Sequence, residues 1–295
     1  MANPSSYSNN QCITVDLGEI NDLDEVAVWN YFGDQRSYYN NKLYVSENNN
    51  TWTEILNDAT LETSNGHRIN AYTDTYNGYV SDGLVLWYDG YANTGADRNN
   101  TSSTWKNLAN SSYSGTLKNS PTWYGDYLSF NGTNNWVSIA QMNYANSTIE
   151  VVFKKDEYTS GPEEGIVENY EVGGYGLSIY NKQLMSEFYI SGSYRNLFKE
   201  IILNKKIYAA TNYDGEKTNL YTDGILNNSY NVIGSIGSPE NNTPMVIGAN
   251  PYGTATNSNR FFKGNIYSVR IYNKALTPEE IHRNYLYDKQ KFNLE

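Results

Sequence analysis

The chain carries a single cysteine, Cys12, among its 295 residues. No intrachain disulfide can brace it, and the residue reads as a small buried hydrophobe. Histidine is nearly as scarce. His67 and His282 stand far apart, which argues against a zinc site or a serine-type triad. Basic residues are outnumbered, 21 against 32 acidic, for a formal net charge of −11. With no basic run to offset it, that balance argues against nucleic acid as a partner and against anionic membranes. No apolar stretch reaches the length of a membrane span, and no secretory leader opens the chain.

What the chain does have is aromatic and polar. Hydrophobic residues make up 39% and aromatics 15%, enough for a packed core. Tyrosine is heavy at 29 residues. So many phenols cannot all be buried with a partner, so many are expected half-exposed on sheet faces and loops. Asparagine runs such as Asn48-Asn49-Asn50 and Asn134-Asn135 suit β-turns.

Short alternating runs dominate the pattern. Ile13 to Leu17, Glu25 to Trp29 and Lys42 to Ser46 open the chain, and a polar stretch from Ala71 to Gly83 reads as a linker. Further strands are expected at Leu84 to Asp89, Tyr127 to Phe130, Thr148 to Lys154, Gly176 to Tyr180, Leu184 to Ile190, Lys206 to Tyr213, Thr218 to Thr222, Met245 to Gly248 and Gly264 to Tyr272. Asn131-Gly132, Asp214-Gly215 and Asp223-Gly224 mark turns between strands. One helix is expected from Thr277-Pro278-Glu279-Glu280, a capping box with proline at the first helical position, to about Lys289. The fold class that follows is all-β, with a β-sandwich as its main part.

The second region resembles the concanavalin A-like, laminin G-like lectin/glucanase superfamily. The resemblance rests on Leu128 to Val137, on Tyr208 to Gly215 with Leu220 to Gly224, and above all on Phe262 to Ile281 with its Val269-Arg270-Ile271-Tyr272 core. It implies a jelly-roll β-sandwich over 83–291. The first region, 1–75, resembles part of a discoidin-type (coagulation-factor C) module on Ile13 to Gly18, Val26 to Trp29, Asp34 to Tyr38 and Lys42 to Trp52. A linker is expected at 76–82 and a tail, similar to a tag scar, at 292–295. The pair of modules is similar to segments of tail-fibre or receptor-binding proteins in phages of low-GC Gram-positive bacteria. This implies a virion tail location, or alternatively a secreted or cell-surface bacterial protein, and a homo-oligomer such as a trimer.

The expected function is non-catalytic surface recognition of a cell-surface glycan. Alternatives are a structural tail-assembly module, and an accessory carbohydrate-binding module of a glycoside hydrolase or adhesin. Glucanases of the superfamily carry alternating carboxylates on one strand, Glu-x-Asp-x-x-Glu, and no such strand is evident. Asp156-Glu157 and Glu163-Glu164, around Gly161-Pro162, read as a solvated loop. Sugars present apolar faces and rings of hydroxyls, so their sites pair aromatic platforms with polar side chains. Loops of that composition offer Tyr170 and Tyr175, Tyr194 and Arg195, and Tyr252, Asn259 and Arg260. The resemblance further implies a possible calcium ion on the rim, for which Asp89, Asp126 and Asn131 are the candidate donors, with Asp97 and Asp214 as further oxygens.

Overall fold

The computed structural model describes residues 78–295, apart from 96–97, 111, 160–162, 171–172, 240–242 and 253–254. The side chains of 170, 251–252 and 255–259 are also outside the description, and before residue 78 only the strands below are described. The chain divides into two units, Met1–Asn77 and Gly78–Glu295. In the first, strands β1 (Glu25–Val28) and β4 (His67–Asn70) pair antiparallel, as do β2 (Asn41–Val45) and β3 (Thr53–Asp58). The expected run from Ile13 to Leu17 lies outside the described residues.

The second unit begins with β5 (Leu84–Asp89), β6 (Thr104–Trp105), β7 (Gly115–Lys118), β8 (Thr122–Tyr124), β9 (Tyr127–Asn131), β10 (Trp136–Ile139) and β11 (Ser147–Lys155). It continues through β12 (Glu163–Tyr170), β13 (Gly174–Tyr180), β14 (Gln183–Ile190), β15 (Ser193–Glu200), β16 (Lys206–Tyr213) and β17 (Lys217–Thr222). It closes with β18 (Ile225–Asn231), β19 (Met245–Ile247), β20 (Ala249–Tyr252), β21 (Ala255–Phe261), β22 (Lys263–Tyr272) and helix α1 (Pro278–Phe292). The larger sheet runs β15-β14-β13-β12-β19-β10-β7-β6, with β20 and β21 attached at β12. The smaller runs β18-β17-β16-β11-β22-β9-β8, with β5 also on β22. The result is an all-β sandwich.

The core lies between the sheets. Leu184, Phe188 and Ile190 of β14 meet Ile149, Val151 and Phe153 of β11 in one buried cluster. Trp105 stacks on Tyr88 and meets Trp123 edge-on, with both pairs of ring centroids 5.2 Å apart. Because side chains alternate along a strand, the residues between these core positions face outward. That alternation defines the two outer faces.

The outer face of the smaller sheet is covered by α1. Thr277 caps the helix through a capping box, as its sequence predicts. Beneath it, Arg270 of β22 sits directly across from Glu150 of β11 and is fully buried. Arg270 Nε donates to Glu150 Oε2 at 2.7 Å, and its terminal nitrogens donate to Asp288 of the helix. Tyr79 donates to Asp288 at 2.6 Å, Tyr208 donates to Glu150, and Asn284 bridges Glu150 and Tyr272. Burial works against the guanidinium, but Asp288 and Glu150 outweigh it and hold Arg270 charged. The Val-Arg-Ile-Tyr signature is thus the anchor of the C-terminal helix.

Two expected boundaries shift. Residues 78–82 belong to the sandwich rather than to a linker, because Tyr79 and Val80 are buried and Val80 N donates to Asn284 Oδ1. Residues 292–294 are not a loose tail, because Phe292 and Leu294 pack in the cluster beneath the helix. Among the described residues, no helix is long and apolar enough to cross a membrane.

Candidate functional site

The outer face of the larger sheet holds the other concentration of charge. Register across its strands aligns Thr104, Thr116, Ser138, Val246, Glu168, Gly176, Glu187 and Asn196 in one row perpendicular to the strands. The row's alternation partners face the core, so these side chains point outward. Gly176 leaves a gap between Glu168 and Glu187, whose strands are two spacings, roughly 9.5 Å, apart.

Three carboxylates share this face. Glu163 and Glu168 both belong to β12, whose register shifts at a bulge between Gly165 and Val167. Glu163 is ion-paired to Arg260 at 2.5 Å. Glu187 is buried, and that burial, with Glu163 nearby, pushes its carboxyl up to about 7. Arg260 and Asn196 act in the opposite direction. Ser178, one step along the same face from Gly176, is buried and its hydroxyl has no hydrogen-bond partner among the described residues. The expected solvated loop at Glu163-Glu164 is therefore corrected. Both residues are buried strand residues, and Glu164 is paired with buried Lys155 at 2.5 Å. The sequence signal for a loop was Gly161-Pro162, which lies just before the strand rather than within it.

An aromatic pair adjoins this cluster. Tyr194 of edge strand β15 faces Tyr189 of β14, edge-to-face with centroids 4.8 Å apart. The pair lies one pleat from Glu187 and Asn196 on the same face. Tyr194 is 40% exposed.

The sequence-predicted sugar contacts separate accordingly. Tyr194 and Arg260 stand on this face. Tyr170 ends β12 in register with Gly174, but its side chain lies outside the described residues, as do those of Tyr252 and Asn259. Tyr175 is corrected to a core residue. It is 1% exposed and stacks on Phe188 at 5.6 Å, because its strand parity turns it inward. Arg195 is corrected to the opposite side from Tyr194, since it pairs with core-facing Phe188 and lies over the ring of Tyr230. Sequence reasoning placed Glu163 in a loop and missed Glu168 and Glu187. Glu163 and Glu168 share one strand, and the cross-strand register brings Glu187 to their face.

The calcium candidates do not form a site. Asp89 is buried and accepts from Tyr91 N at 2.8 Å and from Lys291. Asn131 caps its own turn, accepting from Thr133 N at 2.9 Å and Asn134 N at 3.1 Å. Asp126 precedes β9 and Asn131 ends it, roughly 16 Å away at strand rise. Asp214 caps the turn to β17, and Asp97 lies outside the described residues. Among the described residues, no three acidic, histidine or cysteine side chains could share a metal. The residues present do not fit a rim calcium.

Comparison with known proteins agrees with the architecture. Solved structures with similar folds include Trypanosoma rangeli sialidase in complex with sialic acid (TM-score 0.52, 16% identity, 72% of this chain and 34% of that one). The binding domain of Paraclostridial Mosquitocidal Protein 1 matches with TM-score 0.53 and 15% identity, over 72% of this chain and 53% of that one. The botulinum neurotoxin serotype D binding domain matches with TM-score 0.51 and 17% identity, over the same 72% and 53%. This chain therefore spans about a third to a half of the length of these neighbours. No curated protein matches the sequence. A family model described as the concanavalin A-like lectin/glucanases superfamily matches residues 131–282, just over half of the chain. With its sandwich and its C-terminal strand-and-helix signature, the chain belongs to the concanavalin A-like lectin/glucanase superfamily.

Proposed function

We propose that the protein is a non-catalytic carbohydrate-binding module and that its glycan contacts lie on the outer face of the larger sheet. One observation carries this reading. The exposed Tyr194, packed edge-on against Tyr189, adjoins Glu187 and Asn196, and the field of Arg260 reaches Glu187. That is an aromatic surface for the apolar face of a sugar beside acceptors and donors for its hydroxyls. Two of the fold neighbours are binding domains of toxins and a third is a sialidase holding sialic acid, which is consistent with a binding role for such folds.

Hydrolysis is disfavoured by the middle of β12. A glucanase-type strand would need a carboxylate between Glu163 and Glu168, but Gly165 stands there. Any Cβ at Gly165 would lie 2.1 Å from the Ala249 carbonyl oxygen. Arg260 also keeps Glu163 in an ion pair.

The wider setting belongs to the same proposal. The first unit is a partial discoidin-like module, and the parent is an oligomeric tail or receptor-binding protein of a phage, attaching to a bacterial host from the virion tail. Binding through single faces is weak, and several copies on one tail would supply avidity. A second reading, as an assembly module, is favoured by the apolar side chains of and after edge strand β18. Ile225 is 66% exposed and Ile233 is 81% exposed.

The test is binding to a glycan array and to cell walls of low-GC Gram-positive bacteria, with Tyr194→Ala alongside and a glycosidase assay on every bound glycan. Saturable binding that Tyr194→Ala removes, with no cleavage, supports the reading. Cleavage rejects the non-catalytic claim. Absence of glycan binding, together with concentration-dependent self-association lost in Ile233→Asn, transfers the function to assembly.

A further inference from the structure

A second groove opens on the same outer face, beyond the carboxylates. It has a volume of about 460 Å³ and is lined by Ser114, Thr116, Ser138, Gln141, Thr243 and Pro244, together with residues 139–140. Thr116 and Ser138 belong to the outward row described above. The next member of that row, Val246, is fully buried in a small cluster with Trp136, Ala249 and Phe261. That cluster separates the groove from Glu168 and Glu187.

Two properties point to a ligand. Among the described residues, the lining contains no ionisable side chain, although the chain as a whole carries a net charge of −11. Its polar groups are hydroxyls and an amide, which both donate and accept. Thr243 is 1% exposed, yet its hydroxyl has no hydrogen-bond partner among the described residues. A buried hydroxyl without a partner is costly, and a hydroxyl-bearing ligand in the groove would satisfy it. Among the described lining residues, an anionic ligand would find no cation and a cationic one no carboxylate.

We propose that this groove is a second binding site, separate from the Tyr194 face, and that it takes an uncharged, hydroxyl-rich ligand, namely a unit of a neutral saccharide. The proposal goes beyond the reading above, which rests on Tyr194, Glu187 and Arg260. The two sites would let one sandwich hold two points of a glycan surface.

The test is titration calorimetry of the whole chain with neutral disaccharides: cellobiose, lactose and the N-acetylglucosamine disaccharide. It uses wild type, Thr243→Val, Ser138→Ala and Tyr194→Ala. Thr243→Val keeps the shape of the side chain, and a thermal melt checks that it folds. The expected result is a disaccharide whose affinity falls about fivefold in Thr243→Val, the worth of one hydrogen bond. Thr243→Val costs the same factor of about five in the Tyr194→Ala background, and added salt barely alters that affinity, since no charge pair is screened. Binding by wild type that Thr243→Val and Ser138→Ala leave intact overturns the proposal, as does failure of every neutral disaccharide to bind. Loss of binding in Tyr194→Ala alone also overturns it, while leaving the reading of the Tyr194 face standing.

Discussion

Both outer faces of the sandwich bury carboxylates, and they handle them in opposite ways. Beneath α1, Glu150 and Asp288 are bridged by a single guanidinium, and Tyr79, Tyr208 and Asn284 occupy their remaining oxygens. On the larger sheet, Arg260 compensates Glu163, whereas for Glu187 burial and the like charge of Glu163 outweigh Asn196 and Arg260. The first arrangement is closed by a helix and fastens the chain end. The second leaves an acid held near neutrality beside an exposed tyrosine. Charge that is matched and roofed over serves stability, while the partly unmatched Glu187 is the group on which the proposed recognition rests.

Breaking the matched face should have the largest effect. Arg270→Leu leaves Glu150 and Asp288 buried without their cation, and a loss of about 3–5 kcal/mol is expected in urea unfolding. A loss below about 1 kcal/mol would mean that the network is not what fastens the helix.

Glu187 offers the next effect, with opposite sign. Its carboxyl is raised to about 7 in the fold, against about 4.3 when unfolded. Between those values the unfolded chain loses its proton while the folded one keeps it. Stability therefore falls as pH rises from about 4.3 to about 7, and the penalty stays in full above that. Glu187→Gln removes the penalty. It is expected to stabilise the protein at pH 8 by up to about 3 kcal/mol and to change little at pH 4. Thermal melts across that range decide it, and a gain that is equal at both ends would reject the assignment.

A smaller loss is expected from the helix cap. Thr277→Ala removes the side chain that accepts from Glu280 N, costing about 1 kcal/mol in the same unfolding assay. The smallest stability change belongs to Tyr194→Ala on the open face, within about 0.5 kcal/mol, although this variant is expected to lose glycan binding.

Much of the fold was legible because local chemistry and topology agreed. Asp223-Gly224 takes positive φ at both positions and turns β17 into β18, as its sequence predicts. Asn181-Lys182 makes the same kind of turn between β13 and β14 without a glycine, and its signal is weaker for that reason. Edge strands β15 and β18 escaped notice because polar and exposed residues on both faces blur the alternation. The site was harder to read. Tyr175 and Tyr194 have similar glycine- and serine-rich neighbours, but strand parity sends one into the core and the other outward. A one-residue change of register would exchange them. Glu163, Glu168 and Glu187 belong to two strands separated by a third, so their convergence exists only after the sheet has assembled.

The most direct test of recognition by the larger sheet is an amide chemical-shift map of the protein titrated with a glycan selected from the array. The expected result is perturbation centred on Gly176, Glu187, Tyr194 and Asn196, with β16, β22 and α1 unmoved. Perturbation confined to the face beneath α1, or to the loop between β5 and β6, would contradict the account.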